Sequence, residues 1–138
     1  NMIIFNKWTE LEKFIIQETN CKPFSGAGIC PRPNQKTTIL KSIDNTYYYD
    51  DDLSNPELVK YTLFGHSGDQ KESEIRFNEP LLNPEKTKDI YLYRVKIKEK
   101  KKEYIWYGKY KIIDKDIKEH PGKDLINRKI IILNMKKI

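Results

Sequence analysis

Residues 47–65 read YYYDDDLSNPELVKYTLFG. Three tyrosines run into three aspartates, and a tyrosine–threonine pair follows a turn at SNP. A solvated loop accounts for the acids but not for the density of aromatics. Tyr49 and Tyr61 stand twelve residues apart, with Asp52 three past the first and Thr62 directly after the second. If 47–52 and 58–63 approach one another across the turn, two phenol rings face each other, with a carboxylate and a hydroxyl at the edge of the gap. That arrangement suits one flat heterocycle, because two aromatic faces stack on it and the carboxylate accepts from its exocyclic amine. A carboxylate at a base edge selects cytosine N4 or adenine N6. Stacking is worth roughly 1–3 kcal/mol per base, which offsets much of the few kcal/mol spent in unstacking a nucleotide.

The rest of the composition fits an anionic partner. The chain has 138 residues, the size of one domain, with 26 Lys and Arg against 20 Asp and Glu and a formal charge of +6. Such an excess bears on partners rather than on fold, and nucleic acid and acidic membrane surfaces are the obvious candidates. No apolar run approaches the length of a membrane span, and the start of the sequence lacks a basic segment leading into an apolar core. A cytoplasmic location, with no membrane partner, is therefore expected. Cys21, Cys30, His66 and His120 have no recognised metal-binding spacing, so reduced thiols, no metal and no cofactor are expected.

Along the chain, IIFNKWTELEKFIIQE (3–18) reads as an amphipathic helix capped by Asn6, with Trp8, Leu11, Phe14 and Ile15 along its apolar stripe. CKPFSGAGICPRPN (21–34) reads as loop or irregular strand. TTILKSI (37–43) and ELVKYTLF (57–64) read as strands, and DQKESEIRFNEPLL (69–82) as a short helix that Pro80 stops or kinks. DIYLYRVKIK (89–98) and EYIWYGKYKII (103–113) form a hairpin with a lysine-rich tip. Alternation puts Tyr91, Tyr93, Val95 and Ile97 on one face of the first strand, and Tyr104, Trp106, Gly108, Tyr110 and Ile112 on one face of the second. Trp106 and Tyr107 read as core. HPGKD (120–124) is a turn, and RKIIILNM (128–135) is a closing strand buried on both faces. Four to six strands and one or two helices predict an α/β (α+β) domain, a curved, barrel-like, mostly antiparallel sheet with flanking helices.

The 47–65 stretch resembles the SRA domain (SET and RING finger-associated), which reads modified cytosine by flipping it out of the duplex. The family pattern is a tyrosine, an acidic run and then Y-T-x-x-G, here Tyr49-Asp50-Asp51-Asp52 and Tyr61-Thr62-Leu63-Phe64-Gly65. GAGIC (26–30), GDQ (68–70) with Asn78 downstream, the paired strands and the last strand extend the likeness over 22–138, above all to the short forms in bacterial modification-dependent restriction enzymes. The resemblance implies an SRA/PUA-like fold for 22–138, with 1–21 as a helix packed on it. It implies that Tyr49 and Tyr61 sandwich the base, Asp52 accepts from its amine, Thr62 lines the wall near the 5-substituent and Gly65 permits a tight turn below. Only HSG (66–68) separates Gly65 from Asp69, so the long finger loop of the eukaryotic members is missing. Phe24, Phe64, His66 or Arg76 are the candidates to fill the gap in the duplex. Arg32, Lys36, Arg76 and Lys100–Lys102 are the candidate phosphate contacts.

The expected function is recognition of double-stranded DNA containing 5-methylcytosine or 5-hydroxymethylcytosine, as the specificity module of a modification-dependent restriction system. The chain itself is expected not to be an enzyme, any nuclease lying in another domain or subunit. Three rivals compete with this reading. One is an N6-methyladenine reader, since that base offers the same amine. Another is a protein-interaction module using the N-terminal helix. The third is a nuclease built on Asp89 and the Glu99-Lys100-Lys101 run.

Overall fold

In the computed structural model, residues 2–24, 28–43, 51–63, 65, 68–70 and 78–138 are described. Seven strands form one mixed sheet: β1 (Ile3–Phe5), β2 (Ile29–Arg32), β3 (Thr37–Ile43), β4 (Leu58–Thr62), β5 (Asp89–Lys98), β6 (Lys101–Pro121) and β7 (Asn127–Lys137). Two helices accompany it, α1 (Trp8–Thr19) and the single turn α2 (Glu79–Leu82). The strand order is β2-β3-β5-β6-β7-β4, with β1 laid on β6, and among the described residues the sole parallel pair is β3 with β5. The α+β class and the mostly antiparallel sheet agree with the expectation.

The curl stops short of a closed barrel. The terminal strands β2 and β4 do not hydrogen-bond as a ladder. Side chains join them instead. The Tyr61 hydroxyl on β4 donates to the carbonyls of Gly28, just before β2, and of Lys41 on β3, both at 3.0 Å. Residues from both ends of the sheet, including Ile29, Leu40, Val59, Tyr61 and Leu63, share one buried cluster with Leu92, Tyr107, Tyr110, Leu133 and Met135 on its concave side.

The convex side carries the second cluster, where α1 lies. Leu11 and Ile15 are fully buried there against Ile39, Tyr93, Val95 and Trp106, with Trp8 and Phe14 packed at the margin. The helical stripe read from sequence is therefore the buried one, but the helix starts later than expected. Ile3–Phe5 pair with Tyr104–Trp106 as strand β1, and Lys7 rather than Asn6 occupies the cap, without a side-chain hydrogen bond. β-Branched Ile3 and Ile4 favour the extended state when an open strand edge is available.

A bulge corrects the second alternation. Leu92 pairs with Gly108 while Tyr93 pairs with Trp106, so Tyr107 is an extra residue in β6. Gly108 takes φ +108 beside it, a conformation L side chains rarely adopt. Tyr104 and Trp106 thus face α1, whereas Tyr110 and Ile112 pack on the concave side. Pro80 also differs from expectation, since it opens α2 rather than stopping a helix, and there its missing N–H costs nothing. Residues 71–77 of the expected helix lie outside the described residues. In β7, Ile130–Leu133 are all buried, as the apolar run required.

Removing only the Tyr61 hydroxyl takes away the donor that the Gly28 and Lys41 carbonyls share, although Gly28 O still accepts from Lys41 N–H at 2.7 Å. Tyr61→Phe is expected to lower unfolding free energy by about 1–3 kcal/mol. A urea titration should show an earlier midpoint at unchanged slope.

Candidate nucleic-acid interface

The site forms where the two ends of the sheet meet. Asp52 makes an isolated antiparallel bridge with Lys60, exchanging hydrogen bonds of 3.0 and 2.9 Å between their backbones. Lys60 is exposed and its neighbours Val59 and Tyr61 are buried. Side chains alternate along a strand, so Asp52 shares the outward face of Lys60 while Asp51 and Leu53 turn inward with Tyr61. The Asp52 carboxylate is exposed and accepts from the backbone N–H and hydroxyl of Ser54, at 3.0 and 2.6 Å, which hold it below its ordinary pKa. It closes a local turn.

Asp51 is the carboxylate beside Tyr61. Its Oδ1 accepts from the Thr62 backbone N–H and its Oδ2 from the Ser42 hydroxyl, both at 2.7 Å. Burial pushes its pKa above the carboxylate norm, against the opposing effects of the Thr62 and Ser42 hydrogen bonds and the Arg94 charge. The Thr62 hydroxyl bonds the same carboxylate, so three donors from β3 and β4 meet its two oxygens. The clasp thus holds a carboxylate, a phenol ring pinned by two hydrogen bonds, and the buried Thr62 at one junction.

Gly65 lies below this junction with φ +138, and its carbonyl accepts from Arg128 Nη1 at 2.6 Å and Gln70 Nε2 at 3.2 Å. Gln70 also donates to Leu63 O at 2.6 Å and accepts from Ile131 N–H at 2.8 Å, while Asp69 accepts from Lys129 N–H at 2.8 Å. The Asp-Gln pair and Arg128 therefore anchor the Y-T-x-x-G segment to β7.

Cations surround the junction. Arg94 stands directly opposite Ser42 in the β3–β5 register, and alternation carries Lys96 and Lys98 along the same face toward the hairpin tip. Glu99 and Lys100 turn that tip with φ +47 and +68, and Lys98 pairs with Lys101. Lys100–Lys102 are exposed. Lys36 is exposed, whereas Arg32 is half-buried, donates to the carbonyls of Lys22 and Pro31, and stacks its guanidinium 4.0 Å from the Phe24 ring centre. Phe24 is 57% exposed. Tyr49, Phe64, His66 and Arg76 lie outside the described residues.

The structure thus brings together Tyr61, Thr62 and Gly65, and places Asp51 rather than Asp52 with them. Asp51, Ser42 and Arg94 escaped the sequence reading. The usable signal was Leu53: an apolar residue before the turn marks the inward parity, and Asp51 shares it. The nuclease pattern is not assembled. Asp89 pairs with Lys109 at 2.8 Å at one end of β5, and Glu99–Lys101 sit past the other end, about 30 Å away at strand spacing. Cys21 and Cys30 are free and buried, and no cluster of metal-ligating side chains occurs among the described residues. No described helix is long and apolar enough to cross a membrane.

No protein-family model and no curated protein matches the chain. Solved structures do. The SRA domain of SUVH5 in complex with fully methylated CG DNA superposes over 97% of this chain and 85% of that one, with a TM-score of 0.62 at 20% identity. KRYPTONITE, in complex with mCHH DNA, an H3(1–15) peptide and SAH, matches over 99% of this chain with a TM-score of 0.64 at 17% identity. The sulfur-binding and SRA domains of ScoMcrA, complexed with phosphorothioated DNA, match over 99% with a TM-score of 0.60 at 17% identity. The chain is an SRA-like domain in fold. It spans 31% of the KRYPTONITE chain and 39% of the ScoMcrA chain.

The raised pKa of Asp51 has a consequence for stability. Between the ordinary carboxylate value and its raised folded value, the folded state holds a proton that the unfolded state has released. Stability therefore falls as pH rises through that window. Asp51→Asn is isosteric and removes the effect. The difference in melting temperature between wild type and Asp51→Asn should shift in favour of wild type on acidification and level off at both ends of the window.

Proposed function

We propose that this domain binds double-stranded DNA containing modified cytosine and admits the extruded base at the junction of β3 and β4. Tyr61 supplies one stacking wall and Tyr49 the other. Asp51, rather than Asp52, accepts from the exocyclic amine, and Thr62 lines the side facing the 5-substituent. Gly65, held by Gln70 and Arg128, shapes the floor. Tyr61 is only 4% exposed, so a base that stacks on it first parts the packing above the ring.

The observation that carries this reading is the half-buried Asp51 carboxylate, fixed by Ser42 and Thr62 inside a chain of charge +6. A fixed acceptor with a cation beside it suits a neutral amine edge flanked by phosphates. Arg94, Lys96 and Lys98 with Lys100–Lys102 hold the backbone, as do Lys36 and Arg32, and Phe24 on its Arg32 support fills the gap in the duplex. The SRA-like fold, shared with domains solved on methylated and phosphorothioated DNA, agrees with such a role. A place as the specificity module of a modification-dependent restriction system follows, with the nuclease elsewhere; the matches to ScoMcrA and to the TagI modification-dependent restriction endonuclease, the latter with a TM-score of 0.56 at 15% identity, favour it.

A gel-shift panel of duplexes differing at one cytosine tests this. Wild type should prefer 5-methyl- or 5-hydroxymethylcytosine. Asp51→Asn should weaken binding of the modified duplex by about tenfold to a hundredfold, the worth of a hydrogen bond to a charged group, while Asp52→Asn leaves it intact. The reverse pattern would return the role to Asp52. Preference for N6-methyladenine in the same panel would reassign the base and keep the acceptor.

Replacing Lys100–Lys102 with Ala should weaken plain and modified duplexes alike. It should also reduce the slope of log affinity against log salt by up to about 3, near one for each phosphate no longer neutralised. A weakening confined to modified DNA would overturn the assignment of these lysines to the backbone.

A further inference from the structure

A second concave site lies on the opposite face of the sheet. Trp8 of α1, Lys41 and Ile43 of β3, Tyr93 and Val95 of β5, and Lys102 and Tyr104 of β6 enclose a cavity of about 270 Å³. Alternation separates it from the Asp51 junction. Ser42 points to Asp51, so Lys41 and Ile43 on either side of it point to the convex face. Its volume sits just below the usual range of ligand pockets, about 300–1,000 Å³, so it suits a small ligand.

The lining specifies that ligand. Trp8 stands 5.9 Å from Tyr93 and 6.0 Å from Tyr104, ring centre to ring centre, tilted rather than stacked on either. These aromatic walls favour a flat ring. An aromatic cage also suits a cation, but two ammonium groups line this one, and they exclude it. Burial pushes the Lys41 pKa down and the charge of Lys102 pushes it further, so the two ammonium groups give this cavity a positive field that favours an anionic group. The Tyr93 hydroxyl is buried and, among the described residues, without a hydrogen-bond partner. The hydroxyl presents almost no surface to the cavity, so an acceptor oxygen on the occupant reaches it once the packing around it parts. Burial holds Tyr93 well above the ordinary tyrosine value, so it remains a donor.

We propose that this cavity is a separate binding site for a nucleoside 5′-phosphate, the base lying against Trp8 and Tyr104 and the phosphate between Lys41 and Lys102. The nucleotide is either free in solution or the phosphorylated end of a strand, and both present the same chemistry. An acidic peptide would satisfy the lysines but leave the aromatic walls without a partner. The site shares Lys102 with the hairpin-tip cations assigned to the duplex backbone, but the rest of its lining does not depend on how the Asp51 junction reads DNA.

Calorimetric titration of the intact chain with AMP at low salt tests it. Saturable binding is expected, tighter than for adenosine, which lacks the phosphate, and tighter than for inorganic phosphate, which lacks the ring. Lys41→Gln and Lys102→Gln should each weaken AMP by at least about fivefold, and Lys41→Arg should retain it. Tyr93→Phe, which removes one hydroxyl at constant shape, should weaken AMP while the melting temperature holds. A 5′-phosphorylated oligonucleotide that binds more tightly than AMP names a strand end as the natural ligand, and the opposite order names a free nucleotide. The proposal fails if AMP gives no saturable binding into the millimolar range. It fails equally if both glutamine variants bind as wild type does, or if oligoglutamate competes as well as AMP.

Discussion

The two ends of an open sheet are held together here by side chains. Tyr61 on β4 donates to backbone carbonyls beside β2 and on β3, and Asp51 ties the Ser42 hydroxyl of β3 to the Thr62 N–H of β4. A closed barrel would join those strands with a backbone ladder, which leaves no room for chemistry between them. A side-chain clasp spans a wider gap and puts functional groups in it. Curvature, concave core and candidate base site all follow from that substitution. The consequence is that the candidate site is built from the residues that close the sheet, so it is rigid where it joins the sheet.

That junction is stabilised from below by the chain that follows it. The segment after Thr62 lies along β7 through Leu63 N–H to Ile131 O and Gln70 N–H to Lys129 O, at 2.9 and 2.8 Å. Gln70 and Arg128 then satisfy carbonyls at the sharp turn of Gly65. Buried carbonyls at a turn are costly when unpaired, and here side chains from a distant strand supply the donors. The Asp-Gln pair reads in this light as the anchor of the tyrosine–threonine motif, and its value lies in holding Tyr61 and Thr62 at fixed height.

The sheet also separates two chemistries by parity alone. On β3, Ser42 serves the acidic junction while Lys41 and Ile43 serve the aromatic cavity under α1. On β5, Arg94 belongs to the first and Tyr93 to the second. The bulge at Tyr107 makes this possible on β6, because it sends Trp106 toward α1 and Tyr107 and Tyr110 into the concave core. Without the bulge, Tyr104, Trp106 and Tyr110 would share one face, and Tyr110 would be lost from the concave core.

Much of this was legible in the order of residues. Hydrophobic stripes marked α1, the alternating runs marked β5 and β6, and the continuous apolar run marked β7, because burial imposes its period on composition. The tyrosine–aspartate–tyrosine stretch contains Tyr61 and Asp51, which join the two ends of the sheet. Which aspartate faces inward did not follow from spacing, since three consecutive acids are equivalent until pairing opposite Lys60 sets the parity. The late start of the helix, the bulge at Tyr107 and the clasp across the sheet likewise waited on the fold. Each depends on a strand edge or a partner far away in sequence, and a local pattern carries no information about what the chain will meet on returning.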